Sequence, residues 1–191
     1  MPLLDRSTSV LVVIDVQKRY LPHLFEGARV VEGARRLIEG AKAVAVPVLV
    51  SEQYPRGLGP TAPELLAALP AGAAVVEKSS LSCLGCAEFA ERLRGTGRRQ
   101  VLIAGIEAQA CVNQTVHDLL AAGFEVHLAI DAVSSRFRRD YEVAIGRLAG
   151  AGAIPTTVEA ALLEWVRTAD SPEFQVMRSL IRDPLPEGDA A

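Results

Sequence analysis

The sequence predicts an α/β fold, a mostly parallel sheet covered by helices on both faces, on three observations. Short β-branched apolar runs alternate with longer stretches of helical period, the pattern of repeated strand–helix–strand units. The first run, residues 10–14, is apolar throughout, as a strand buried on both faces must be. Each run is bounded by Gly, Pro or a charged residue. Half of the 191 residues are apolar and 23% charged, which excludes disorder and suits one packed domain.

The elements follow in order. After the strand at 10–14, residues Val30, Val31, Ala34, Leu37, Ile38 and Ala41 recur at helical spacing. Further strands are expected at 46–51, 74–77, 101–104, 126–130 and 153–154, six in all. Covering helices are read from Val112, Val116, Leu119 and Leu120, and from Tyr141, Ile145 and Leu148. Thr156 and Glu159 have capping-box spacing, ahead of an apolar stripe of Val158, Ala161, Leu162, Trp165 and Val166. A last helix is expected from Ser171-Pro172, burying Phe174, Met177 and Ile181. From Asp183 the chain is rich in Pro, Gly and acid, so residues 1–182 are read as a single domain and 183–191 as a frayed tail.

Charge and hydropathy exclude several function classes. A net charge of −3 with scattered Lys and Arg lacks the electrostatic footprint of nucleic-acid binding. Apolar stretches fall short of the roughly 20 residues that span a bilayer, so no membrane partner is expected. The start, Met1-Pro2-Leu3-Leu4-Asp5-Arg6, lacks a basic segment, an apolar segment and a cleavage site, which points to a cytoplasmic protein. Three cysteines, Cys83, Cys86 and Cys111, are an odd number and suit a reducing compartment.

In an open α/β sheet, ligands bind beyond the carboxyl ends of the strands, where the strand order reverses. Asp15, Glu52, Lys78 and Asp131 each follow an expected strand and so reach that edge, and Cys111 stands at the expected start of a helix. The helix dipole and a nearby Lys78 ammonium would favour the Cys111 thiolate. Asp15 is placed to accept the thiol proton and return it to a leaving group. Backbone N–H groups of the turn before Cys111 would meet an oxyanion. The constellation reads as a cysteine nucleophile for acyl transfer. Tyr54, Leu58, Phe25 and Leu81 come from loops at the same edge, and Cys83 follows Lys78 closely enough to touch a substrate.

Other readings stand beside this one. Cys83-Leu84-Gly85-Cys86 has the spacing of a thiol-redox motif or half a zinc site, but no second pair exists. His117 lies six residues beyond Cys111 on one helix and points elsewhere, His127 lies inside a strand, and His23 belongs to a loop. Arg136, Arg138 and Arg139 read as an exposed helix start, with Arg136 open to an anion or a neighbouring subunit. A binding or scaffold protein without turnover is the second functional class, and a redox protein using Cys83 and Cys86 the third.

The runs Ile14-Asp15-Val16-Gln17, Glu77-Lys78-Ser79 and Gly105-Ile106-Glu107-Ala108-Gln109-Ala110-Cys111-Val112, continued by Asp131-Ala132-Val133-Ser134-Ser135-Arg136, resemble the isochorismatase-like cysteine hydrolases. Glu52-Gln53-Tyr54-Pro55-Arg56-Gly57-Leu58-Gly59-Pro60-Thr61 looks like the isochorismatase domain-containing subgroup. The resemblance implies a three-layer Rossmann-like fold, a six-stranded, mostly parallel sheet and a homo-oligomer, a dimer or larger. It implies a triad of Asp15, Lys78 and Cys111. It also implies a cis peptide at Ile106–Glu107, with the amides of Glu107 and Cys111 as oxyanion hole. Nicotinamidases of the family bind a metal through histidines after the second strand, where this chain has Ser51-Glu52-Gln53, so neither metal nor other cofactor is expected. True isochorismatases lack the nucleophilic cysteine. Retaining Cys111 therefore favours a small amide-like carbonyl substrate, cleaved through a thioester that water hydrolyses.

Overall fold

The computed structural model describes residues 2–187. In chain order it contains β1 (Ser9–Ile14), α1 (Gly27–Ala43), β2 (Val48–Gln53), α2 (Pro55–Leu58), α3 (Pro63–Ala68), β3 (Ala74–Lys78), α4 (Ala87–Gly95), β4 (Gln100–Ile106), α5 (Asn113–Ala121), β5 (Glu125–Ser134), α6 (Arg138–Gly150), β6 (Ile154–Thr156), α7 (Val158–Val166) and α8 (Phe174–Leu180). Among the described residues six strands form one sheet in the order β3-β2-β1-β4-β5-β6, every pair parallel. The α/β class and the six-stranded sheet are as the sequence predicts.

Alternation along the inner strands divides the core into two layers. Leu11 and Val13 of β1 face one layer with Val50, Leu102 and Ala104, and α1, α7 and α8 cover it. Val10, Val12 and Ile14 face the other, with Leu49, Val101, Ile103 and Leu128, beneath α4, α5 and α6. The predicted stripe of α7 is buried at every position. Two glycines permit close approach. A Cβ on Gly40 of α1 would stand 2.1 Å from Leu162 of α7. A Cβ on Gly105 of β4 would stand 2.5 Å from the Ile14 carbonyl oxygen, and Gly105 has a φ of +147°.

Several boundaries depart from the sequence reading. Thr157 rather than Thr156 caps α7, its Oγ1 accepting the Ala160 amide, because Thr156 is still paired in β6. The Asp131 carboxylate also accepts the Val158 amide at 2.8 Å, so this expected edge charge anchors the start of α7. Similarly, Glu52 accepts the Thr61 amide and hydroxyl at 2.6 and 2.7 Å. α8 begins at Phe174, later than expected, since the Ser171 hydroxyl is bound to the Glu173 carboxylate instead of capping an amide. β5 continues to Ser134 past a register shift opposite Ile103/Gly105. At the start of the expected tail, Arg36 donates to the carbonyls of Asp183 and Pro184, and Leu185 packs on the core. Residues 188–191 of that tail lie outside the described residues.

Candidate active site

The strand order reverses at β1, whose neighbours β2 and β4 lead their connections to opposite faces, leaving a crevice at the carboxyl edge. Asp15 leaves β1 into that crevice. It has a left-handed φ of 56°, and its amide donates to the Ser51 carbonyl at 3.1 Å. Lys78 ends β3 two strands away. Beyond β4, Gly105 and Glu107 (φ 59°) turn the chain into a wide π-helical turn, Ala108–Val112, which carries Cys111 into α5. Asp15 and Lys78 form an ion pair at 2.7 Å, and the Cys111 thiol lies within the field of both. All three are nearly closed to solvent, at 3%, 5% and 5% exposure.

Each partner is held by further bonds. Ser51 Oγ donates to Asp15 Oδ1 at 2.7 Å, and the Cys83 thiol donates to Ser51 Oγ at 3.5 Å. Lys78 Nζ also donates to Gln53 Oε1 at 2.9 Å, Leu81 O at 3.1 Å and Ser80 O at 3.3 Å. Gln17 braces the loops, accepting the Gln53 amide at 2.8 Å and donating to the Gly59 carbonyl at 2.6 Å.

The electrostatics correct one expectation. Burial and the adjacent Asp15 carboxylate push the Cys111 thiol up to about 12, and the Lys78 ammonium offsets only part of this. Desolvation thus outweighs the cation and favours the neutral thiol, against the thiolate that helix position and Lys78 led one to expect. Burial would lower Lys78, but Asp15 overturns it and holds the ammonium above its usual range. Burial likewise drives Cys83 up to about 11.

A second correction concerns the backbone. Among the described residues there is no cis peptide bond, so Ile106–Glu107 is trans. The chain turns here through the positive φ angles of Gly105 and Glu107. Among the described residues the Glu107 amide has no hydrogen-bond acceptor, while its carbonyl accepts the amides of Ala110 and Val112 at 2.8 and 3.3 Å.

The expected substrate contacts scatter. Tyr54 is 62% exposed and lines a cleft of about 340 Å³ with Pro55, Arg56 and Lys78. Leu81 exposes its side chain while its carbonyl holds Lys78. Cys83 is fully buried behind Ser51, its amide bound to Thr115 Oγ1, and so lies beneath the crevice rather than in its wall. The Phe25 ring packs on Tyr141 at 5.9 Å and under Arg138 at 5.8 Å, occupied by α6 and its start. Cys83 and Cys86 are both free thiols with different partners, Ser51 Oγ and the Glu77 carbonyl. Among the described residues no three His, Cys, Asp or Glu side chains gather closely enough to hold a metal ion.

The sequence reading missed Ser51, Gln53 and Tyr20. Ser51 and Gln53 alternate at the end of β2, and polar residues at that spacing beside β1 were the available signal. Tyr20 lies in the loop after β1, where no periodicity points to it. Its phenol faces Glu107, and burial and that carboxylate push it up to about 12.

The chain is similar to known proteins over most of its length. The isochorismatase domain model matches residues 9–160. Isochorismatase domain-containing protein 2 of Danio rerio is 39% identical over 185 residues, covering 96% of this chain and 92% of that protein. Its Homo sapiens counterpart is 37% identical over 183 residues, covering 95% and 86%. The solved structure of MAR1 ribonuclease from Caenorhabditis elegans superposes with a TM-score of 0.93 at 34% identity, covering 100% of this chain and 97% of that one.

Proposed function

The chain belongs to the isochorismatase domain family, and from that premise we propose that it is a metal-independent cysteine hydrolase acting on small amide-like carbonyl compounds. The observation that carries the reading is the buried Asp15–Lys78 ion pair at 2.7 Å, with the buried Cys111 thiol within the field of both charges. Asp15 takes the thiol proton as Cys111 Sγ attacks the carbonyl carbon, so no free thiolate has to exist beforehand. The carbonyl π electrons move to oxygen, and the Glu107 and Cys111 amides receive the oxyanion. Asp15 then gives its proton to the leaving nitrogen as the C–N bond breaks, which leaves a Cys111 thioester and a free amine. Water, deprotonated by Asp15, attacks the thioester, and the thiol departs with that proton. Lys78 stays charged throughout and keeps Asp15 a carboxylate between the two half-reactions.

Intact-protein mass spectrometry during turnover of a panel of small amides and activated esters tests this. An acyl adduct on Cys111, removed by hydroxylamine and absent from Cys111→Ala, is expected. Equal hydrolysis by wild type and Cys111→Ala would sink the reading. Because the similar C. elegans protein is a ribonuclease by name, RNA belongs in the panel. The net charge of −3 favours the small molecule. We further propose self-association through the first half of α6 and the residue before it, where Val143 and Phe137 are 65% and 62% exposed. Light scattering with Phe137→Ser checks it, and a monomeric wild type would refute it.

A further inference from the structure

The mechanism uses the Glu107 amide and leaves its carboxylate without a task. That carboxylate is held in place. Oε2 accepts Gln109 Nε2 at 2.9 Å, and Gln109 Oε1 in turn accepts the Ser135 hydroxyl at 2.6 Å. Oε1 is buried and has no hydrogen-bond partner among the described residues. Arg136 Nε stands 3.8 Å from it, too far for a hydrogen bond, on a side chain half exposed to solvent and stacked on Phe137. The Tyr20 phenol stands beside the Glu107 carboxylate and within the field of Cys111, but makes no hydrogen bond to Oε1. A buried acceptor with no donor costs about 1–3 kcal/mol, more when charged. Such an atom beside a nucleophile is accounted for when a ligand supplies the donor.

We propose that Glu107 Oε1 accepts a hydrogen bond from an N–H of the substrate, so that the site admits amides and ureas and rejects carboxylates. This deepens the hydrolase reading and rests on it. Charge argues the same way. The Lys78 ammonium already has four acceptors for its three protons, Asp15, Gln53, Ser80 and Leu81, and has none to offer an anionic substrate. A substrate carboxylate would face Glu107 and Asp15 together, and like charges at short range in a desolvated crevice repel strongly.

Two isosteric probe pairs test the assignment. Alkylation of Cys111 by iodoacetamide and by iodoacetate is compared in wild type and Glu107→Gln, each ratio divided by that of N-acetylcysteine. Wild type should favour iodoacetamide at least tenfold beyond the free thiol, and Glu107→Gln should bring the ratio near one. Binding of acetamide and acetate to Cys111→Ala, read by ligand-observed NMR, gives the same comparison without the nucleophile. Glu107→Asp, which keeps the charge and withdraws the oxygen, should still reject the anions yet lose the gain for the amides, and it serves should Glu107→Gln fail to fold. A preference that survives in both variants, or that wild type never shows, overturns the proposal. If Cys111 is inert to both reagents while acetamide binds in a Glu107-dependent way, this assignment stands and the nucleophile is the part that fails.

Discussion

The Cys111 thiol, Asp15 and Lys78 carry opposed demands that single substitutions can separate. Asp15 raises the thiol and, in the proposed mechanism, also removes its proton. Asp15→Asn should therefore make Cys111 more acidic and less useful at once. In wild type, iodoacetamide labelling should climb with pH without reaching a plateau below about pH 10, since the thiol is held near 12. In Asp15→Asn the labelling curve should move to lower pH while amide hydrolysis falls by about 10²–10⁴-fold, the usual worth of a positioned general base. Labelling and hydrolysis that fall together would instead mean a preformed thiolate. Lys78→Met presents the complementary case. It leaves the Asp15 carboxylate buried without its cation, and breaking such a pair costs about 3–5 kcal/mol. Thermal denaturation should show that loss, and the double variant Lys78→Met/Asp15→Asn should recover part of it.

Among the elements, the parallel pair β1 and β4 leaves no room for a side chain at Gly105. Gly105→Ala adds a Cβ 2.5 Å from the Ile14 carbonyl oxygen at a φ of +147°, so a loss of about 1–3 kcal/mol from backbone strain alone is expected in urea titrations. Activity should fall further, because Asp15 and Glu107 both hang from the shifted strand ends. This region also divides what could be read in the sequence from what could not. The apolar runs marked the strands, and the charges after them marked Asp15, Lys78 and Cys111, because alternation and strand-end position are local properties of the chain. The π-helical turn at Ala108–Val112 and the register shift of β5 left no local trace. Both arise where a neighbouring strand dictates the path. The same is true of the Cys111 proton: helix position and a nearby lysine suggested a thiolate, and only the packed core reveals a desolvation large enough to reverse them. Phe25 and Cys83 were placed by chain proximity; the Phe25 ring packs on Tyr141, and Cys83 is buried with its amide on Thr115 Oγ1 and its thiol on Ser51 Oγ, contacts that proximity along the chain does not reveal.

For the whole molecule, these buried acids set the alkaline limit of stability. Burial and neighbouring carboxylates push Cys83, Cys111 and Tyr20 up to about 11, 12 and 12 in the folded chain, from ordinary values of 9.0, 9.0 and 10.0. Raised folded values stabilise the native state fully below about pH 9, where unfolded thiols begin to ionise, and that contribution is gone once pH passes the folded values. The melting temperature should accordingly decline steadily above pH 9, and Cys83→Ser should flatten the decline. An unchanged slope would place the alkaline sensitivity in other groups. The strand order has a further, kinetic consequence. In an all-parallel sheet no two neighbours are joined by a hairpin, and the central pair aligns Val10 with Val101 across half the chain. A nascent chain that has emerged only as far as β3 holds Asp15 and Lys78 but neither the middle neighbour of β1 nor the nucleophile. Such long loops close slowly. The candidate site is thus a late product of synthesis and of refolding, and the moment at which Cys111 becomes protected from a thiol reagent dates the closure of the entire sheet.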